Sequence, residues 1–288
     1  MATLEISEIM KSVDSSVNED SGSLPRPTDR RSIKKLLLPL FLQVGTTAES
    51  LRADSAGFWH VGEERYWLPR LIFRGGKETG EETIRLAIFA GLHGDEPAGI
   101  HAVVDLLRAL EADPWMGRAY RIHIYPLCNP TGYEDGTRHS RSGVDLNREF
   151  WRGSLEPEIA ILERELLNNK FHGIISLHSD DTSDGVYGFV RGATLTQHLM
   201  KPALAAAEAA LPVNQSAIID GFHAVEGIIH TAYDGILTAP PGTSPAPFEI
   251  ILESPHHAPM ESQRQAFVLA LEQILRHYRR MISYAADI

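Results

Sequence analysis

The chain has 288 residues, 43% of them hydrophobic, a formal net charge of −11 and a single cysteine, Cys128. That length can bury a substantial core as one α/β domain, the acidic balance argues against nucleic acid as a partner, and a lone cysteine excludes an intrachain disulfide. No basic and apolar leader opens the sequence, and its longest apolar run, Leu36 to Leu42, is too short for a bilayer, so the expectation is a cytoplasmic protein with no membrane partner.

Residues 1–31 are polar, rich in Ser, Asp and Glu, and end in Pro25, Pro27 and the pair Arg30-Arg31. Such a stretch is expected to be an arm with little core of its own, leaving residues 32–288 as one domain. Arg65 to Phe73 and Thr83 to Ala90 have strand character and are expected to be neighbours, joined by a turn rich in glycine. Pro97 to Leu110 has helical periodicity through Ile100, Val103, Val104 and Leu107, with Pro97 suited to the first helical position. Tyr120 to Leu127 alternates as a strand. Glu156 to Leu167 is helical, Gly173 to Leu177 a short buried strand, and Thr194 to Leu211 an alanine-rich helix. Phe248 to Leu252 is a further strand, and Met260 to Tyr278 closes the pattern as an amphipathic helix. This alternation predicts an α/β fold with a central sheet covered by helices on both faces.

The chemistry-bearing residues fall at strand ends. His93 and Glu96 follow the strand ending near Ala90. His178 ends the strand from Gly173, and Glu253 ends the strand from Phe248. Open α/β sheets bind ligands beyond the carboxyl ends of their strands, so these residues share one sheet edge. A catalytic zinc takes three protein ligands and keeps one position open, a requirement that His93, Glu96 and His178 meet. Glu253 follows a mostly apolar run, where a carboxylate needs a partner or a raised pKa, as a general base has. A lone His-x-x-Glu is more often a solvated loop pair; Gly91, Gly94 and Gly99 shift the balance by permitting tight turns. The segment from Asn129-Pro130 to Arg152 concentrates Arg138, Arg141, Arg148 and Arg152 in an acidic protein, which suits carboxylate recognition.

Taken together, His93-Gly94-Asp95-Glu96, Asn129-Pro130 with Arg138, Gly143-Val144-Asp145-Leu146-Asn147-Arg148, Leu177-His178 and Leu252-Glu253 resemble the zinc carboxypeptidase family. They also resemble its relatives, the succinylglutamate desuccinylase and aspartoacylase group. The resemblance covers roughly residues 65 to 280 and keeps the family's order of motifs. It implies a mixed, mainly parallel central sheet flanked by helices, the carboxypeptidase-like arrangement also called phosphorylase/hydrolase-like, with 32–288 as the catalytic domain. It implies one Zn2+ per chain held by His93, Glu96 and His178, with Asp145 orienting His93. By the same resemblance Arg138 polarises the scissile carbonyl, Asn147 and Arg148 clamp a substrate carboxylate, and Glu253 moves the proton of a zinc-activated water. Tyr233 lies in the stretch of the family's substrate-facing tyrosine.

The implied reaction is hydrolysis of an amide bond next to a free carboxylate in a small peptide; deacylation of an N-acyl amino acid is the alternative. Members of the deacylase branch carry a further β domain after the catalytic glutamate, whereas 35 residues, one helix in pattern, follow Glu253 here. That favours the carboxypeptidase side. An inactive binding protein is disfavoured because ligands, base and arginines are all present, and a serine hydrolase because no Gly-x-Ser-x-Gly elbow occurs. Asp180, Asp181 and Asp184 form an acidic run that is either a solvated loop or a contact for a cationic substrate group. Nothing in the sequence sets the oligomeric state.

Overall fold

A computed structural model describes residues 30–46 and 50–285. The expected arm over 1–31 lies outside them except for Arg30 and Arg31. Arg30 pairs with Glu64, and the Arg31 N–H donates to the Glu134 carbonyl, so both are tied to the domain.

Helix α1 (Ile33–Thr46) runs across Pro39 and buries Leu36, Leu37, Leu40 and Val44. Strands β1 (Leu51–Val61) and β2 (Glu64–Arg74) form an antiparallel hairpin. Then come β3 (Ile84–Ala90), α2 (Ala98–Ala112), β4 (Tyr120–Tyr125), the short α3 (Pro130–Asp135) and α4 (Pro157–Asn168). Strands β5 (Gly173–Asp180) and β6 (Tyr187–Val190) follow. After short helical turns come α5 (Lys201–Ala207), β7 (Ile218–Ile219), β8 (Phe222–Val225) and β9 (Ile228–Ile229). Strand β10 (Phe248–Pro255) and the long α6 (Met260–Ala285) complete the described chain. Among the described residues no helix is long and apolar enough to cross a membrane.

The strands form one mixed sheet in the order β1-β2-β4-β3-β5-β10-β6-β9-β8-β7. The four central strands β4, β3, β5 and β10 run parallel. Flanking pairs are antiparallel, apart from β6 with β9. Both faces of the parallel centre are covered, so β3 is buried nearly throughout, as a two-sided strand must be. On one face α2 and α6 pack over the sheet: Gly99 sits against Leu177, and the Phe248 ring meets Tyr278. On the other face Phe89 stacks on Tyr125, whose hydroxyl donates to Glu165 of α4. That second face also carries Ser176 and His178.

Three local expectations are corrected. The strands over 65–73 and 83–90 are not neighbours, because β4 lies between them. The glycine-rich link docks on the start of β4 instead of closing a hairpin: Gly75 N–H donates to the Tyr120 carbonyl, and Ala119 N–H to that of Gly76. Pro97 occupies the position before the first helical residue of α2. The stretch 194–211 is not one helix. A wider π turn, Thr196–Met200, precedes Lys201-Pro202, where proline has no N–H to continue the α-helical bonding, and α5 ends at Ala207.

Candidate active site

Gly91, with φ of 62°, turns the chain sharply off the end of β3. The His93–Glu96 loop then crosses the start of α3 so closely that a Cβ on Gly94 would lie 1.9 Å from the carbonyl carbon of Gly132. This approach needs glycine, and it presses His93 and Glu96 inward, where they are 3% and 4% exposed. His178 comes from the end of β5 and is equally buried.

These three side chains converge. His93 Nδ1 lies 2.6 Å from Glu96 Oε1, His178 Nδ1 lies 3.2 Å from Glu96 Oε2, and the two Nδ1 atoms are 3.3 Å apart. Ser179 N–H also donates to Glu96 Oε2 at 3.0 Å. Burial works against the Glu96 charge, but the two imidazoles outweigh it and hold the carboxyl well below the usual range. For His178 burial dominates and favours the neutral ring, the form that binds metal. His93 turns its second nitrogen, Nε2, to Asp145 Oδ1 at 3.2 Å. That is the outer carboxylate a ligating histidine generally carries. Among the described residues this is the only group of three or more His, Cys, Asp or Glu side chains placed to hold an ion, with one donor atom from each within 4.8 Å of the others. Two nitrogens and a carboxylate facing one point fit a catalytic zinc.

Asp145 also accepts from Arg138 Nε at 3.1 Å, and it caps the turn Leu146–Arg148 by accepting from Asn147 N–H. Burial opposes its ionisation, but His93 and Arg138 hold its carboxyl low. One aspartate thus fixes a candidate ligand, an arginine and the loop that presents Asn147 and Arg148. Asn147 Oδ1 accepts from Leu237 N–H, which leaves its amide nitrogen as the donor end. The Arg148 guanidinium lies 4.3 Å from the centre of the Tyr233 ring, and the Tyr233 hydroxyl donates to Asp220.

His93, Glu96, Arg138, Asn147, Arg148, His178, Tyr233 and Glu253 all line one cavity of about 400 Å³. Asp145 stands behind it. Glu253 faces this space from β10, and burial, then the charges of Glu96, Asp180 and Asp220, push its carboxyl well above the usual range. Two of the four arginines expected beside the site are elsewhere. Arg141 binds Glu134 and Asp135 and lies over Tyr66. Arg152 is outside the cavity lining. Asp184 is fully exposed, near His257, whereas Asp180 and Asp181 line the cavity. Sequence reasoning missed Tyr187, Phe189 and Asp220. Tyr187 stands beside Glu253 across β6 and donates to Asp180 at 2.9 Å. Strand alternation in β6 is a signal for it, but only once the pairing partner is known.

Residues 82–222 match the family model described as the succinylglutamate desuccinylase/aspartoacylase catalytic domain. That span contains His93, Glu96, Asp145 and His178. Over 95 residues the chain is 34% identical to murein peptide amidase A of Escherichia coli, a match covering 33% of this chain and 36% of that relative's length. The fold is similar to that of a proposed metallopeptidase from Shewanella amazonensis, with a TM-score of 0.71 and 22% identity, covering 85% of this chain and 92% of that one. It is also similar to a metallo-carboxypeptidase from Burkholderia cenocepacia, with a TM-score of 0.68 and 18% identity, covering 88% of this chain and 70% of that one. The sequence resemblance to the carboxypeptidases and their deacylase relatives therefore holds, and the fold is theirs.

Proposed function

We propose that this chain is a zinc-dependent hydrolase that cleaves an amide bond next to a free carboxylate in a small peptide. The observation that carries the proposal is the convergence of His93, Glu96 and His178 with Glu253, Arg138 and Arg148 around one cavity. The local identity to a murein peptide amidase supports a peptide amide as substrate.

His93, Glu96 and His178 would hold one zinc. Such an ion supplies Lewis acidity and lowers the pKa of a water. Arg138, which lines the cavity with a guanidinium nitrogen 3.6 Å from Glu96, would stabilise the charge that the carbonyl oxygen gains. Arg148, with the Asn147 amide, holds the substrate carboxylate and so fixes which amide bond is presented. Glu253 takes a proton from the attacking water and returns it to the leaving nitrogen. Burial and the neighbouring carboxylates raise its pKa, which makes it a stronger base than an ordinary glutamate.

A second reading, N-acyl amino acid deacylation, is favoured by the family match over residues 82–222. Both readings use the same machinery with the free carboxylate on the leaving amino acid, and differ in whether the acyl part is a peptide or a simple acyl group. The deciding experiment is a side-by-side screen of C-terminal dipeptides, γ-glutamyl peptides and N-acyl amino acids with zinc present. Turnover of peptides with a free carboxylate supports the first reading. Turnover confined to N-acyl amino acids supports the second, and none in any class overturns both.

A further inference from the structure

At the other end of the same sheet face, a row of basic residues crosses neighbouring strands. Arg74 of β2 lies opposite Arg121 of β4, and Arg121 lies opposite Arg85 of β3. His172, just before β5, extends the row: its N–H donates to the Arg85 carbonyl. Alternation back from Phe89 and Tyr125 puts Arg85 and Arg121 on the face that α4 covers. Roughly 17 Å of strand separates Arg85 from Ala90, so the row stands well away from the candidate active site. Like charges directly opposite each other in a sheet are destabilising. Here guanidinium groups occupy consecutive positions in a chain whose net charge is −11.

Arg74, Lys77, Arg85 and Arg121 line one cavity of about 340 Å³. Among the described residues none of these side chains pairs with an aspartate or glutamate, and those of Arg74 and Arg121 make no hydrogen bond. The acids of the link before β3 are engaged elsewhere: Glu78 and Glu81 both bind Arg118. Lys77 donates to Thr83 Oγ1, and Arg85 Nε to the Lys170 carbonyl. A second feature calls for an acceptor. Arg85 N–H donates to His172 Nδ1 at 3.0 Å, so that nitrogen carries no proton and Nε2 is the donor of the neutral ring. Burial, then the Arg85 charge, favours the neutral ring against the pull of Glu82. Arg85 Nη2 lies 3.2 Å from His172 Nε2, which sets one donor against another. An acceptor oxygen beside the two satisfies both.

We propose that this row is a binding site for a small anion carrying two linked phosphoryl groups, separate from the hydrolytic centre. A guanidinium fork matches the oxygens of a phosphoryl group, and linked groups present several such oxygens side by side. Neighbouring strands lie about 4.8 Å apart, so Arg121, in the middle of the row, can share one ligand with Arg74 and Arg85. The Lys77 ammonium adds a further charge at the rim of the same cavity. A bound anion turns the repulsion within the row into attraction to a common partner.

The test is equilibrium dialysis of inorganic pyrophosphate against zinc-loaded native protein, Arg121→Gln, Arg74→Gln and Arg148→Ala. Citrate, a tricarboxylate, is run alongside. Zinc is measured on both sides of the membrane, so that extraction of the metal is not counted as binding. Arg121 and the exposed Arg74 have no side-chain partner to lose, so both glutamine variants should keep the native zinc content and thermal midpoint. Native protein is expected to bind pyrophosphate, and citrate more weakly. In Arg121→Gln and Arg74→Gln the affinity for pyrophosphate should fall at least about tenfold, the cost of a lost charge-assisted hydrogen bond. Arg148→Ala should bind it as native protein does. No binding by native protein, or native affinity in both glutamine variants, overturns the assignment. Binding lost in Arg148→Ala instead would put the anion in the active-site cavity and overturn it as well. Citrate bound as tightly as pyrophosphate would overturn the phosphoryl specificity.

Discussion

Glu253 on β10 lies directly opposite His178 on β5, in register across two parallel strands. The candidate base and a candidate metal ligand thus leave the sheet at the same level and on the same face. Glu253→Gln keeps the shape of the side chain and leaves the His93, Glu96 and His178 cluster untouched. Zinc content should be unchanged, while kcat falls by roughly 10²–10⁴-fold, the usual cost of a missing general acid–base group. Metal analysis beside steady-state kinetics checks both halves, and native turnover in this variant would move the base elsewhere.

Arg148 is held by the Tyr233 ring and by its own bond to the Asn147 carbonyl. Its removal should act on recognition. With Arg148→Ala, kcat/KM for a peptide with a free carboxylate should fall by about 10- to 100-fold, matching the loss of a charge-assisted contact. The matched amide should already be poor with native protein and should lose much less. Equal losses on both substrates would make Arg148 a structural arginine.

Gly94 carries the geometry of two candidate ligands. A Cβ there would meet the Gly132 carbonyl carbon at 1.9 Å and the Tyr133 nitrogen at 2.1 Å, backbone that cannot swing aside. Gly94→Ala should therefore displace the His93–Glu96 loop. Zinc affinity should drop at least about tenfold, comparable to disturbing the support of a ligand. A zinc titration by competition with a chelator measures this, and native affinity in the variant would refute the close-packing argument.

Glu158, at the start of α4, is 2% exposed, and burial together with the Glu156 charge pushes its carboxyl up to about 7 from an ordinary 4.5. Between those values the folded chain holds a proton that the unfolded chain has released. Stability from this group is therefore full below pH 4.5 and declines as pH rises through 7. The shift corresponds to at most roughly 3 kcal/mol. Glu158→Gln should be nearly neutral at pH 4 and stabilising by about 2–3 kcal/mol at pH 8. Denaturant melts at both pH values provide the comparison; a gain of equal size at both would remove the titration argument.

Part of this site was legible because His93, Glu96, His178 and Glu253 sit at or just beyond strand ends, and strand ends follow from short apolar runs such as 173–177 and 248–252. The α/β alternation and the sheet centre followed for the same reason. Pairing was less legible. Nothing in the run 65–73 says that β4, reached through α2, inserts beside it, because neighbours in a sheet are chosen by long-range packing. Helix α1 was hidden by Pro39, and β1 by its mixture of Asp, Ser and Gly. Charge alone did not sort the arginines: Arg138 and Arg141 are three residues apart, yet one faces Asp145 and the other Asp135. Tyr187 and Asp220 gain their place only through β6 and the β7–β8 hairpin, whose strands of two to four residues are too short for their alternation to be read before the pairing is known.

The central claim is that His93, Glu96 and His178 bind one catalytic zinc. Elemental analysis of native protein, His93→Ala and His178→Ala, each dialysed under identical conditions, tests it most directly. About one zinc per native chain and little in either variant is the predicted result, as three protein ligands around one open site require. Metal content unchanged in both variants would contradict the account.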